Sequence, residues 1–99
     1  MTFKERLDKA FRRYGEGLMI NGIIPAKGFF QRLDTAGLKV YFDYEQTPAP
    51  RSGLIVFMPA DTSVGIGDTI DRDPRIYTVS KISKHLVRDT VVMQILLLQ

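Results

Sequence analysis

Chemistry needs reactive groups gathered at a workable spacing, and this chain offers few. His85 is the single imidazole. Ser80, Ser83 and Asp89 lie near it in sequence, so the residue types of a nucleophile–base–carboxylate triad occur in one short stretch. No nucleophile-elbow motif surrounds them, and an ordinary surface or turn histidine accounts for His85. Asp68, Asp71 and Asp73 form the one carboxylate cluster. In a strand, 71 and 73 point the same way, so two hard oxygen ligands could converge. The spacing lacks the calcium-loop pattern, and a solvated hairpin is the expected reading. Gly65-Ile66-Gly67 lacks the third glycine of a dinucleotide fingerprint, and a strand pattern follows it where a helix is needed. Two glycines in a turn suffice. With no cysteine, disulfides and thiolate metal sites are excluded. The expectation is a chain with no catalytic residue, no cofactor and no metal: not an enzyme.

Charge is the next candidate for function. The formal net charge is +3. Lys4, Arg6, Lys9, Arg12 and Arg13 stand against Glu5 and Asp8 in residues 1–14, and the acids and bases of the remainder cancel. The basic character thus belongs to the N-terminal segment. Five cations on one helix could contact phosphates without reading sequence. The competing reading is a solvated face on a helix that packs by its apolar stripe. Phe29, Phe30, Tyr41, Phe42, Tyr44 and Phe57 raise a further possibility of base stacking on a β surface. Most of them alternate as core residues do, and core is the default for each.

The elements that would position these groups follow from the pattern. Residues 1–99 are the length of one domain, and the 44% apolar, 25% charged mix is that of an ordinary globular protein. Thr2 with Glu5 three residues later is a capping-box pattern. Phe3, Leu7, Ala10, Phe11 and Tyr14 make one helical stripe over residues 2–14. Gly15 is placed to stop that helix in a left-handed conformation. The period then changes. Strands are expected over 18–24, where Asn21-Gly22 is a tight turn or a bulge, and over 29–33. Pro25 marks an end or an edge. Residues 34–37 read as a turn, and Leu38, Val40, Phe42 and Tyr44 alternate with polar residues as a half-buried strand does. Gln46–Gly53 is a Pro-containing loop. Further strands are expected over 54–58, 68–72, 76–82 and 90–98, with a turn at Asp73-Pro74 and a break near Lys84-His85.

The last strand is apolar on both faces. That implies burial on both sides, either in a closed barrel or under a partner subunit. Short strands separated by turn signals predict a mainly β fold: a small antiparallel β-barrel of six to seven strands over 18–98 with one N-terminal α-helix. No secretory leader is recognised, and the longest C-terminal apolar stretch is far short of a membrane span. A soluble protein made in a cytoplasm, without membrane contact, is expected.

From Gly65 to Val79 the chain reads Gly-Ile-Gly-Asp-Thr-Ile-Asp-Arg-Asp-Pro-Arg-Ile-Tyr-Thr-Val. This segment resembles the head–tail connector proteins of tailed bacteriophages, also called head-completion, stopper or head–tail joining proteins. The shared pattern is a Gly-Asp-x-Ile strand, a tight polar turn, and a strand carrying an aromatic and a valine, here Tyr77-x-Val79. Asp73-Pro74 departs from the commoner Asp-Gly or Asn-Gly turn. Members also tend to open with a short helix and to carry a long central loop, here about 43–53. The resemblance implies a phage or prophage structural protein. It would be made in the bacterial host cytoplasm, would reside in the virion neck, and would form a homo-oligomeric ring between portal or adaptor and tail. The free protein would be a monomer. The implied assembly element is the loop Asp43, Tyr44, Glu45, Gln46, Thr47, Pro48, Ala49, Pro50, Arg51, Ser52 and Gly53, docking on neighbours or closing the DNA channel. Lys4, Arg6, Lys9, Arg12 and Arg13 are the candidates for electrostatic contact, including non-specific contact with packaged DNA. Two alternatives stand beside it: a small nucleic-acid-binding barrel that uses the basic helix, and a tail-completion or tail-terminator protein.

Overall fold

A computed structural model describes residues 2–42, 44 and 51–99. The first helix, α1, spans Phe3–Tyr14. Thr2 caps it as the sequence indicates: the Glu5 backbone N–H donates to Thr2 Oγ1 at 3.2 Å. The apolar stripe turns inward around Phe11, which is buried with its ring 5.1 Å from that of Phe29. Gly15 ends the helix, but not in the expected left-handed conformation. Its φ is −66° and its ψ 150°, an extended geometry open to any residue. Space explains the glycine: a Cβ there would run into the Phe11 carbonyl oxygen and sit 3.0 Å from Lys27 Cβ.

Six antiparallel strands follow: β1 (Glu16–Ile20), β2 (Ile24–Asp34), β3 (Ser52–Pro59), β4 (Thr69–Arg72), β5 (Arg75–Val87) and β6 (Thr90–Leu98). They close into a barrel in the order β1-β2-β3-β6-β5-β4. The two long strands turn the corners. β2 pairs with β1 over 24–28 and with β3 over 29–34. Pro25 falls where β2 has only one partner, so its missing N–H breaks no ladder. β5 pairs with β4 over 75–78, then with β6 from Val79. A bulge at Ser80 makes that second corner, and Ser80 Oγ donates to the Leu97 carbonyl at 3.2 Å.

Closure depends on a short seam where Met19 and Ile20 face Asp71 and Ile70. Asn21 extends the seam. Its N–H donates to the Thr69 carbonyl and its Oδ1 accepts from Thr69 N–H, both at 2.9 Å. Asn21 and Gly22 both have positive φ, and Ile23 N–H donates to the Ile20 carbonyl. Asn21-Gly22 is therefore a turn of the hairpin type.

Nine buried residues, among them Leu18, Ile20, Val56, Met58, Ile70, Val79 and Leu96, fill the barrel interior. A second cluster of Ile55, Ile95 and Leu97 lies on the outer face of β3 and β6, beneath Leu38 and Phe42. β6 is thus buried on both faces by the chain itself, inside the barrel and under a second helix.

That helix, α2 (Thr35–Tyr41), corrects two expectations. Residues 34–37 are not a free turn: Asp34 caps α2, its Oδ1 accepting the Gly37 N–H at 2.9 Å. Nor do Leu38, Val40, Phe42 and Tyr44 form an alternating strand. Leu38 and Phe42 are four apart, one helical turn, and both are buried. Val40, which alternation puts on the same face, is 76% exposed. The apolar groove outside β3 and β6 selects the helical period over the β period.

Other boundaries shift for local reasons. β5 runs through Lys84-His85, with an irregularity between His85 and Leu86, and the chain reverses at Arg88-Asp89, both at positive φ. Neither turn residue is glycine, so the punctuation was hidden. Asp73-Pro74 forms the expected two-residue turn, with a cis peptide bond. Ser52 and Gly53 belong to β3 rather than to the preceding loop. Gly53 has Leu97 Cδ1 and the Leu38 methyls where a Cβ would go, so the strand slides close beneath α2.

Candidate assembly surfaces

The residues with catalytic types lie along β5 and its turn, with Ser83 and His85 two apart on the strand. His85 is exposed on β5, Ser80 is committed to the corner bulge, and Asp89 sits in the β5–β6 turn. Asp68 Oδ2 accepts the Gly65 N–H at 2.7 Å and so folds the approach to β4. Among the described residues, no three His, Cys, Asp or Glu side chains gather as a metal site would require.

The basic helix divides into two functions. Lys4 Nζ donates to Asp8 at 3.0 Å and to Asp61 at 2.6 Å, tying α1 to the segment after β3. Hydrogen bonding to Asp61, then to Asp8, raises the Lys4 pKa. Arg6, Lys9, Arg12 and Arg13 remain exposed. Lys27 Nζ donates to the Arg12 carbonyl at 2.9 Å, a cation placed on the negative end of the helix dipole. Four of the five cations thus form an open positive face.

The aromatic residues are taken up by packing. Phe42 is buried, the Tyr41 and Phe57 rings meet edge to face at 5.9 Å, and Phe29 leans on Phe11. Phe29 nonetheless stays 36% exposed. Phe30 is covered by the Arg72 guanidinium, 4.3 Å above its ring. Arg72 also makes a two-pronged pair with Glu16, at 2.6 and 3.2 Å, which raises its pKa. This ion pair over an aromatic ring ties β4 to β1 and β2. Sequence reasoning missed it because Glu16 and Arg72 are far apart in the chain. Arg72→Ala is expected to cost about 1 kcal/mol, the sum of a partly exposed cation–π contact and a solvent-screened ion pair. Urea unfolding at low and high salt checks this. A loss that is the same at both salts would mean the ion pair contributes nothing.

Of the proposed assembly loop, Asp43 and Glu45–Pro50 lie outside the described residues. Tyr44 is half-buried, and the Lys81 ammonium sits 4.7 Å over its ring. Burial pushes the Tyr44 phenol pKa up. Arg51 is exposed just before β3.

A groove of about 1010 Å³ lies between α1, the β1–β2 hairpin and the segment after β3. Its walls include Phe11, Leu18, Met19, Pro25, Asp71 and Asp73. No helix among the described residues is long and apolar enough to cross a membrane. Comparison with protein-family models, with curated proteins and with solved structures finds no match to this chain.

Proposed function

We propose that this chain is a non-enzymatic structural subunit of the head–tail interface of a tailed phage or prophage, assembling as a ring between portal or adaptor and tail. One observation carries the reading. The Gly67–Val79 segment, on which the resemblance rests, forms the hairpin that closes the barrel. Gly67 N–H donates to the Val79 carbonyl and Val79 N–H to the Asp68 carbonyl, each at 2.8 Å, while Asp71 faces Met19 across the seam.

The rest of the molecule is consistent with that role. A closed barrel pairs its strand edges, so association falls to side chains, loops and helices. The apolar groove and the exposed cations of α1 supply such surfaces, the latter suited to sequence-independent phosphate contact with packaged DNA. The segment from Asp43 to Arg51, ahead of β3, is the proposed docking element toward portal, adaptor or tail.

The test is co-sedimentation with the portal assembly and the tail tube encoded alongside the protein. Association with the portal is the expected result. Association with the tail tube alone would make the protein a tail-completion or tail-terminator part. No association with either, across the accessible concentration range, overturns the proposal.

A further inference from the structure

We infer that the β5–β6 hairpin tip of one copy docks in the groove between α1 and the β1–β2 hairpin of the next, a head-to-tail contact between copies of this chain. The inference rests on the assembly role proposed above and names the surfaces that join one copy to another.

The groove has an apolar floor, including Phe11, Leu18, Met19 and Pro25, and a charged rim of both signs. Asp71 on β4 and Asp73 just after it supply acid, Arg12 on α1 and Lys27 on β2 supply base, and Asp61, paired with Lys4, adds a third carboxylate. Neither Asp71 nor Asp73 has an ion pair or hydrogen bond among the described residues, so these two carboxylates present unneutralised charge. The hairpin tip offers the complement. Leu86 is 54% exposed near the tip. Arg88 and Asp89 follow it, both exposed and both held at positive φ by the turn. Leu86 suits the floor, Arg88 the aspartates and Asp89 the Arg12 guanidinium. Charges of both signs on the tip thus meet charges of both signs on the rim.

The groove is lined by residues of α1, β1, β2, β4, the β4–β5 turn and the segment from Pro59 on, and by none of β5 or β6. The donor tip and the acceptor groove therefore share no residue, and one copy can offer both. Such a heterologous contact propagates from copy to copy and closes into a ring when its rotation permits. One hairpin tip in one groove is smaller than a stable interface in dilute solution. Copies are expected to associate when a shared partner holds them close.

The absence of cysteine gives a direct test, because any thiol is an introduced one. A Leu86→Cys variant is mixed with a Pro25→Cys variant at high concentration and mildly oxidised. Variants are first checked to melt as the parent does. The expected product is the mixed disulfide dimer, in clear excess over that from mixing Leu86→Cys with Arg32→Cys, which lies on the β2–β3 ladder away from the groove. Adding Arg88→Glu to the first variant should lower the yield about tenfold, and adding Asp71→Arg and Asp73→Arg to the second should restore it. A yield no higher than the Arg32→Cys control, dominance of Leu86→Cys homodimers, or indifference to charge reversal would each overturn the inference. Cross-linking without portal co-sedimentation sinks the phage reading alone. Co-sedimentation without the cross-link sinks the hairpin contact alone.

Discussion

Leu38→Ala is expected to lower the stability of the fold by about 2–5 kcal/mol, the range for removing a fully buried leucine when the surroundings collapse only in part. Leu38 is 0% exposed and packs with Phe42 on Ile55, Ile95 and Leu97. α2 is only seven residues long, too short to hold a helix by its own hydrogen bonds. Its stability comes chiefly from this leucine, the Phe42 ring, the Tyr41 contact with Phe57 and the Asp34 cap. The loss should therefore be concentrated in α2 and in the outer face of β3 and β6. Hydrogen exchange should speed up there more than inside the barrel. Val40→Ala is the control. Val40 is exposed, and its truncation should stay within about 0.5 kcal/mol of neutral. In an alternating strand, Leu38 and Val40 share a face and would suffer together. Equal losses in urea unfolding would thus restore the strand reading and remove α2.

The same pair of residues shows why part of the fold was legible in the sequence and part was not. α1 could be read because its signals agree: a Thr2 cap, a stripe at three- and four-residue spacing, and a glycine at its end. The β4–β5 hairpin could be read because the Asp73-Pro74 turn sits between two short apolar patterns. The two-sided burial of β6 was legible in its unbroken apolar run, although its outer cover proved to be α2 rather than a partner. In residues 38–44 two periods coexist, since Leu38 and Phe42 fit both a spacing of two and a spacing of four. Only the apolar surface of Ile55, Ile95 and Leu97 decides between them, and that surface exists once β3 and β6 have paired. The candidate site was less legible still. The groove brings together Phe11, Met19, Pro25 and Asp71, drawn from four elements, the last of them far along the chain from the others. The Arg88-Asp89 turn has no glycine or proline to announce it. What the sequence did show of the site is the gathering of cations on one helix, four of which stand exposed.

Gly28→Ala is expected to destabilise the protein by about 1–3 kcal/mol, the usual cost of forcing an extra methyl into a packed interior. Gly28 is buried at the point where β2 leaves β1 and joins β3. An added Cβ would lie 2.7 Å from the Phe57 carbonyl oxygen and 2.8 Å from Val56 Cγ2. A flexible side chain could yield at such a distance. A backbone oxygen in a strand laddered to β2 on one side and β6 on the other moves only if the corner opens. Gly17→Ala is the matched control, because nothing stands within 4 Å of its added Cβ. That substitution should be neutral or stabilising by up to about 1 kcal/mol, through loss of unfolded-chain entropy. The corner also sets where the β1–β2 hairpin stands relative to α1, and so sets the width of the groove. Gly28→Ala in the Pro25→Cys background should therefore reduce cross-linking to the hairpin of another copy even at temperatures where the variant remains folded. Full stability together with full cross-linking would show that β2 rounds its corner without needing the space that glycine leaves, and the packing account of barrel closure would fall.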